Sequence, residues 1–268
     1  MRNLLLVALV LQAVSLASPV PARATVWDDF NAKSKKLDSS KWLGDELVAG
    51  GVVSEEIQRV IAGGKLLLAH RAVGDSGSGV SGVRLVFRNA SPFTSIQYDV
   101  KPISFNTADC GGPVSTASEQ QFNFLFNTDS ISTCPTGSPS GTTCDVFAIF
   151  YLDRVSSDPA NMVRVHGRVI ARPTDGGAEV ILGSIAEFGL VKKGTKMNLK
   201  TTWDQGAHTV TFQQTIKKTQ TTIAVDYGMA ADDNGGAALN TIEVDDFICG
   251  AGGEADASAT WDNINVTP

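Results

Sequence analysis

The sequence predicts an all-β protein built as a large antiparallel sandwich or barrel. Hydrophobic residues make up 43% of the 268 residues and charged residues only 19%, which fits an ordinary globular chain and excludes a disordered tail or a coiled coil. Short runs that alternate apolar with polar residues, such as residues 163–166, are separated by Gly, Asn, Asp, Ser and Pro along most of the chain. About a dozen such strands in one unit of this size indicate two packed sheets or a closed one.

The strands follow one another in chain order with little helical pattern between them. The predicted strands are 66–70, 80–87, 95–101, 121–126, 146–153, 163–171, 179–182, 197–203, 209–215, 221–225, 242–247 and 257–266. The phenylalanines of 121–126 and 146–153, taken together, include even and odd positions, which predicts strands buried on both faces in the middle of the sandwich. Helical turns are expected at one place, residues 54–60.

The first 24 residues have the features of a secretory signal peptide. Arg2 provides a basic start, residues 4–17 are apolar, and Ala22-Arg23-Ala24 is a small-x-small cleavage site. This apolar run, and every later one, is shorter than the roughly 20 residues that a membrane-spanning helix needs. The rest of the chain contains no low-complexity linker and no fixed repeat. We therefore expect one domain, residues 25–268, that is secreted or periplasmic and has no membrane span.

All four cysteines lie in this mature chain, so disulfide bonds are expected in an oxidising compartment. Cys134 and Cys144 flank one turn-rich loop, and their spacing favours a bond between them. Cys110 and Cys249 would then form the second bond. No Cys-x-x-Cys motif indicates redox chemistry.

Five motifs occur in a characteristic order along the mature chain. They are residues 27–31 with 37–42 (WDDFN, LDSSKW), 63–68 (GGKLLL), 203–206 (WDQG), 208–212 (HTVTF) and 261–266 (WDNINV). This series resembles the laminarinase-like glycoside hydrolases and laminin-G-like domains of the concanavalin A-like lectin/glucanase superfamily. The resemblance implies a jelly roll of two curved antiparallel sheets, whose concave face holds extended sugar chains in members that bind or cut them.

The hydrolases of this superfamily carry their acids on one strand that reads Glu, apolar, Asp, apolar, and then a second Glu. Alternation places the acids on one face, and the two glutamates act as nucleophile and proton donor. The nearest match here is Glu243 and Asp245, but Phe247 or Ile248 stands where the second glutamate belongs. We expect this segment to be an edge strand or loop with solvated acids, and we assign no catalytic residues.

Two other arrangements of titratable residues occur in the sequence. An acid pair assembled from separate strands, Asp153 with Glu119 or Glu179, stays open. None of the histidines belongs to a metal-binding motif, so each is expected to be a surface or half-buried imidazole. They are His70, His166 and His208.

A structural Ca²⁺ ion is a further implication of the resemblance. Many sandwiches of the superfamily hold Ca²⁺ with an acidic side chain of the last strand and oxygens near the start of the chain. Asp262 matches the closing aspartate, and Asp28 or Asp29 lies in the opening segment. In the alternative interpretation, Asp262 and Asn263 only cap a turn.

Sugar binding requires aromatic side chains on an accessible face. Three tryptophans lie in the terminal motifs and are expected in the core: Trp27, Trp42 and Trp261. The remaining candidates are Trp203, Tyr98, Tyr151 and Tyr227. The net charge of −6 disfavours nucleic acid as a partner.

The sequence thus predicts an exported, non-catalytic, lectin-like module that recognises an extracellular glycan or surface partner. It is expected to be stabilised by calcium. The alternatives are a divergent glycoside hydrolase or lyase acting on polysaccharide, and a purely structural extracellular protein. A hydrolase or lyase would require a catalytic acid or base, which the acid motif of the known hydrolases does not supply in this sequence. A lectin would not require one.

Overall fold

The computed structural model describes residues 23–31, 36–49, 52–74, 78–88, 93–106, 118–119, 122–126, 144–155, 157–173, 179–228, 240–249 and 252–268. The regular structure of these residues consists of sixteen strands and no helix. The strands are β1 (Thr25–Asp28), β2 (Trp42–Ala49), β3 (Val52–Ala62), β4 (Lys65–Gly74), β5 (Ser78–Phe87), β6 (Ser95–Asn106), β7 (Ser118–Glu119), β8 (Phe122–Phe126), β9 (Cys144–Asp153), β10 (Met162–Pro173), β11 (Val180–Lys192), β12 (Met197–Asp204), β13 (Thr209–Ile216), β14 (Thr219–Asp226), β15 (Asn240–Cys249) and β16 (Glu254–Thr267).

The strands form two antiparallel sheets that pack face to face. Sheet A has the order β14-β13-β12-β6-β16-β4-β3, with β1 paired to β16. Sheet B has the order β11-β10-β9-β8-β15-β5-β2, with β7 paired to β15. One hydrophobic cluster contains side chains from both sheets, so the core lies between them. The predicted two-sheet antiparallel jelly-roll sandwich is confirmed.

Strict alternation along the strands produces this core. In β16, Ala255, Ala257, Ala259 and Trp261 are buried while the residues between them are partly exposed. Trp42 packs against Phe87 with ring centroids 4.4 Å apart, which closes one end of the sandwich. The tryptophans of the terminal motifs therefore pack in or against the core, as their positions predicted.

Each of the twelve predicted strands overlaps an observed one, but the helical turns predicted for residues 54–60 are wrong. This segment lies in β3, which pairs in continuous register with β4 from Ser54 onwards. Residues such as Glu55, Glu56 and Arg59 favour a helix in isolation, but pairing with a buried neighbour decides their conformation. Their charge suits β3, because β3 is an edge strand and charged side chains discourage pairing with other chains.

The two outer faces of the sandwich differ in burial. On sheet A the outward residues of β16, from Asp256 to Asp262, are partly exposed. On sheet B, every residue of β9 from Val146 to Leu152 is buried, as the mixed parity of its phenylalanines predicted. Its outward residues Phe147, Ile149 and Tyr151 form a second small cluster with Ile170 of β10.

Several sequence predictions lie outside the described residues. They are the signal peptide up to residue 22, Cys110 and Cys134, and the side chains of Cys144 and Cys249, whose backbones begin β9 and end β15. The signal peptide and the disulfide bonds therefore stay predictions. Within the described part of the chain, no helix has the length and apolar character needed to cross a membrane.

Candidate functional site

A set of polar side chains lies on the outward face of sheet B, and we call it the polar face. Its members are Tyr151 and Asp153 of β9, His166 and Arg168 of β10, and Thr241, Glu243 and Asp245 of β15. The even-numbered residues of β9 point into the core, so the odd-numbered ones point outward. The register then brings His166 beside Tyr151, because these two residues pair directly across β9 and β10.

The centre of the polar face is an aromatic, imidazole and guanidinium group. Arg168 Nη2 lies 3.0 Å from His166 Nε2, and the guanidinium carbon is 4.6 Å from the centre of the Tyr151 ring. The His166 and Tyr151 rings are 5.1 Å apart. A guanidinium can only donate hydrogen bonds, so His166 Nε2 is the acceptor and the imidazole is neutral. Burial, reinforced by the positive charges of Arg168 and Arg164, lowers the pKa of His166 to about 3.

Asp153 completes this group. Its side chain is 5% exposed, and burial raises its pKa to about 6. Its Oδ2 is 3.8 Å from His166 Nε2, which is a contact and not an ion pair because the imidazole is neutral. Asp153 Oδ1 and Arg168 Nε are both buried, and neither has a hydrogen-bond partner among the residues that the structure describes. Such groups are rare in native proteins, and each one marks a place where a partner is expected.

The positive charge of Arg164 is largely compensated by an ion pair. Its guanidinium binds both carboxylate oxygens of Asp158 at 2.8 Å. Asp158 Oδ2 also accepts a hydrogen bond from the backbone N–H of Val155 at 3.0 Å. This pair fixes the turn between β9 and β10, whereas Arg168 Nε has no hydrogen-bond partner among the described residues.

The predicted edge location of Glu243 and Asp245 is wrong. Their strand β15 lies in the interior of sheet B, between β8 and β5, and the two side chains are only 3% and 2% exposed. Thr241 Oγ1 donates to Glu243 Oε1 at 2.7 Å. A side chain at Gly82, opposite Asp245, would clash with its carboxylate, so the glycine makes room for this acid. The two acids share one face, as alternation predicted.

The acid pairs proposed for Asp153 have different outcomes. Glu179 immediately precedes Val180, which pairs with Ala171, whereas Asp153 pairs with Arg164. Seven residues along a strand span roughly 23 Å, so the structure separates Asp153 from Glu179. Glu119 lies in β7, and its backbone pairs with that of Asp245 in β15. The side chain of Glu119 lies outside the described residues.

The expectation of surface or half-buried imidazoles is wrong for two histidines. His70 and His166 are buried within hydrogen-bonded groups, and His208 is half-buried. A single histidine on an alternating strand does not reveal which face it joins, so the sequence offered no signal for these partners.

The residues predicted to bind calcium face different directions. Asp28 is buried, and its oxygens accept hydrogen bonds from the backbone N–H of Phe30 at 2.9 Å and from Trp42 Nε1 at 2.8 Å. Asp29 is exposed and accepts the N–H of Asn31.

Asp262 lies on the outward face of sheet A, where it accepts the backbone N–H of Asn263 at 2.8 Å, as in the turn-capping alternative. It shares a small depression with Asp99 and Lys196, whose ammonium is 2.8 Å from Asp99. Among the residues that the structure describes, no group of three His, Cys, Asp or Glu could hold a metal ion. Calcium binding stays a prediction.

The four aromatic candidates divide between the core and the polar face. Tyr98 and Tyr227 are buried in the core cluster, and Trp203 packs against it while donating to the Tyr227 hydroxyl at 2.9 Å. These three rings stabilise the sandwich, and sugar binding by them stays a prediction. Tyr151 is the candidate that the structure places on the outward face of sheet B.

Comparisons with known proteins give structural likenesses at low sequence identity. No family model and no curated protein matches the chain. The alginate lyase from Klebsiella pneumoniae is 10% identical over 87% of this chain and 96% of that one, with a TM-score of 0.48. A glycoside hydrolase family protein from Mycobacterium thermorestibile is 13% identical over 91% and 99%, with a TM-score of 0.49. The VIP36 exoplasmic/lumenal domain, in a Ca²⁺- and Man3GlcNAc-bound form, is 9% identical over 85% and 90%, with a TM-score of 0.41.

Proposed function

We propose that this protein is an exported, lectin-like module that binds an extracellular carbohydrate through the polar face of sheet B. The observation that carries the proposal is that two buried groups, Asp153 Oδ1 and Arg168 Nε, have no hydrogen-bond partner in the described part of the chain. One is an acceptor and the other a donor. A sugar hydroxyl both donates and accepts, so it can satisfy either group.

The surroundings of these groups suit a polar ligand, because part of their charge is absent or compensated. His166 is neutral, Arg164 is neutralised by Asp158, and the Tyr151 ring supplies an amphipathic surface beside them. Hydrogen bonds formed away from bulk water are stronger than exposed ones, so a few well-placed groups suffice for specificity.

A catalytic role on polysaccharide is the second candidate, because one observation favours it. Burial raises the pKa of Asp153 to about 6, so this carboxyl can donate a proton in mildly acidic solution and accept one in neutral solution. This arrangement could transfer protons in hydrolysis or elimination without the acid motif of the laminarinase-like enzymes. The test of the proposed function must therefore distinguish catalysis from binding alone.

The test uses residues 25–268 incubated with a panel of soluble and insoluble polysaccharides. Retained protein, released reducing ends and the ultraviolet absorbance of unsaturated products are scored together. Retention without products supports the lectin proposal and identifies the glycan class. Products made by the wild type but not by Asp153→Asn would establish the enzyme instead.

Two variants tie any binding to the polar face. Arg168→Gln removes the unused donor and is expected to weaken binding at least about tenfold, the equivalent of one lost hydrogen bond to a charged group. Lys101→Ala changes an exposed residue of sheet A and should bind like the wild type. Equal binding by all three proteins, or no binding to any glycan, would refute the assignment.

A further inference from the structure

A basic surface lies on the outward face of sheet A, on the opposite side of the sandwich from the polar face. We call it the lysine groove, and its lysines come from β4, from β6, from the loop before β12 and from the turn between β13 and β14. They are Lys65, Lys101, Lys196 and Lys217. All four side chains are exposed, and none of them belongs to the polar face.

The register of the strands brings these lysines into one row across the sheet. Asp99 of β6 pairs with Asp262 of β16 on one side and with Asn198 of β12 on the other. Asn198 pairs in turn with Thr215 of β13, two residues before Lys217. Four strand spacings of about 4.8 Å separate β4 from β13, so the row is about 19 Å long.

Two adjoining depressions form the floor of the lysine groove, and they share Asp99 and Lys196. The larger depression has a volume of about 460 Å³ and is also lined by Lys217. The smaller one is lined by the remaining two lysines. Because the depressions share two residues, the four lysines border one connected concave surface.

The lysines of the groove outnumber the acids that line it, which are Asp99 and Asp262. Asp99 Oδ2 is 2.8 Å from Lys196 Nζ and accepts a hydrogen bond from Asn263 Nδ2 at 2.8 Å, while Oδ1 accepts one from Asn198 at 2.9 Å. Asp99 therefore holds Lys196 in place. The other three lysines form no ion pair with an acid in the described part of the chain. The groove thus has a net positive charge.

Charge is segregated along the strands that carry the groove. Lys217 and Lys218 form the turn at one end of β13 and β14. Asp204 of β12 and Asp226 of β14 lie at the opposite end of these strands, where both pair with Thr209. The whole chain has a net charge of −6. An acidic protein that concentrates lysines at one end directs anionic ligands to that end.

We propose that the lysine groove is a carbohydrate site, independent of the polar face, that binds a linear polysaccharide carrying carboxylate or sulfate groups. A row of separate ammonium groups about 19 Å long suits a chain with repeated charges, because each lysine meets a different unit of the same polymer. Hydroxyl and amide side chains lie between the lysines and bind the uncharged hydroxyls of the sugar. They are Asn198, Thr215 and Thr260.

Two other kinds of polyanion suit the groove less well. Single-stranded nucleic acid is bound by stacking of its bases on aromatic rings, and no aromatic side chain is found among the described residues that line the groove. An anionic membrane is bound with the help of exposed apolar side chains, whereas the apolar residues of the lining, Val100 and Met197, are buried. The lining therefore favours a hydrophilic polymer.

The test measures binding of residues 25–268 to fluorescently labelled polygalacturonate and dextran sulfate, with neutral dextran for comparison. The wild type should bind at least one of the two anionic polymers. Its affinity should fall at least about tenfold between about 50 and 200 mM NaCl, because binding releases counterions from the polymer. Equal binding of neutral dextran, or no binding of either anionic polymer, would overturn the proposal.

Two single changes remove charge from the groove, Lys101→Ala and Lys217→Gln. Each should weaken binding of the anionic polymer about threefold, and the double variant about tenfold, because each removes one exposed ionic contact. Lys41→Gln is the matched control, since it removes one positive charge next to β2, away from the groove. It should bind like the wild type. Equal affinities of the groove variants and Lys41→Gln would refute the assignment.

The same proteins distinguish failure of this proposal from failure of the polar face. Arg168→Gln should bind the anionic polymer like the wild type. Lys101→Ala should keep its binding of an uncharged glycan at the polar face, so it is a control for neutral glycans and a test variant for anionic ones. If Arg168→Gln weakens binding of the anionic polymer and the groove variants do not, the polymer binds the polar face and the lysine groove is wrong.

Competition experiments identify the class of ligand. Inorganic sulfate should displace the polymer only weakly, because one ion contacts only part of the row. Vesicles of phosphatidylserine and phosphatidylcholine, and single-stranded DNA, should bind more weakly than the polysaccharide. Tighter binding of vesicles or of DNA, or displacement of the polymer by an equal concentration of sulfate, would overturn the proposal.

Discussion

Replacing Gly167 with alanine is expected to destabilise the sandwich, although alanine is otherwise acceptable in a strand. Gly167 lies in β10 between His166 and Arg168 and points into the core. A Cβ atom at this position would lie 2.5 to 2.7 Å from three ring carbons of Phe212, a fully buried residue of β13 in the opposite sheet. Carbon atoms in contact are normally about 3.5–4.0 Å apart, so one sheet must move by about 1 Å or the ring must leave its rotamer.

The magnitude follows from two opposing effects. Overpacking of a core costs typically about 1–3 kcal/mol, while replacing glycine restricts the unfolded chain and returns about 0.4–1 kcal/mol. The free energy of unfolding should therefore fall by about 1–2 kcal/mol. For a domain of this size, that corresponds to a decrease of about 2–8 °C in melting temperature.

Calorimetry and urea unfolding measure this change against a matched glycine. Gly206→Ala is the control, because a Cβ there meets nothing closer than an ordinary contact at 3.6 Å. It should change the stability by less than about 0.5 kcal/mol. Combining Gly167→Ala with Phe212→Leu should cost less than the sum of the two single changes, since the smaller side chain makes room for the methyl group. Additive costs, or a Gly167→Ala protein as stable as the wild type, would refute the proposed contact.

Three further changes test the acidic residues. In urea titrations, Asp153→Asn should raise the free energy of unfolding at pH 7 by about 3 kcal/mol and leave it unchanged below pH 4. The reason is that burial raises the pKa of Asp153 to about 6, so the ionised carboxylate destabilises the folded state increasingly from pH 4 to 6 and fully above pH 6. Equal effects at both pH values would contradict this. Asp28→Ala should lower the melting temperature by the equivalent of about 1–3 kcal/mol because it leaves Trp42 Nε1 without its acceptor, whereas the exposed Asp29→Ala should have little effect. If Asp262 binds calcium, added Ca²⁺ should raise the melting temperature of the wild type but not of Asp262→Ala, and identical melting of the wild type in Ca²⁺ and in chelator would end the calcium hypothesis.

Most of the strands could be predicted from the sequence because alternation is a local property. The twelve predicted runs all overlap strands, and the two-sided burial of β9 followed from its phenylalanines. The error at residues 54–60 has a physical cause: the helix-forming residues of β3 are held extended by pairing with β4, a neighbour that a local window does not include.

The site was only partly predictable, because alternation shows which residues share a face of a strand but not where that strand lies in its sheet. It placed Glu243 and Asp245 on one face, but it could not reveal that β15 lies in the interior of its sheet. His166 and Arg168 share parity in the sequence, yet their contact with Tyr151 depends on the register of β10 against β9. Tyr98 was a candidate for sugar binding but lies in the core. The local sequence does not distinguish an aromatic residue that points into the core from one that points outward.

The position of β16 has implications for the time course of folding. This strand pairs with β6, β4 and β1, so the middle of sheet A is completed by the last described strand to leave the ribosome. Pairings between distant segments close slowly, because loop-closure entropy must be overcome before the contacts form. A nascent chain lacking β16 would leave β4 and β6 with unpaired edges, which makes incomplete chains prone to aggregation. The sandwich is therefore expected to close only after β16 has emerged from the ribosome.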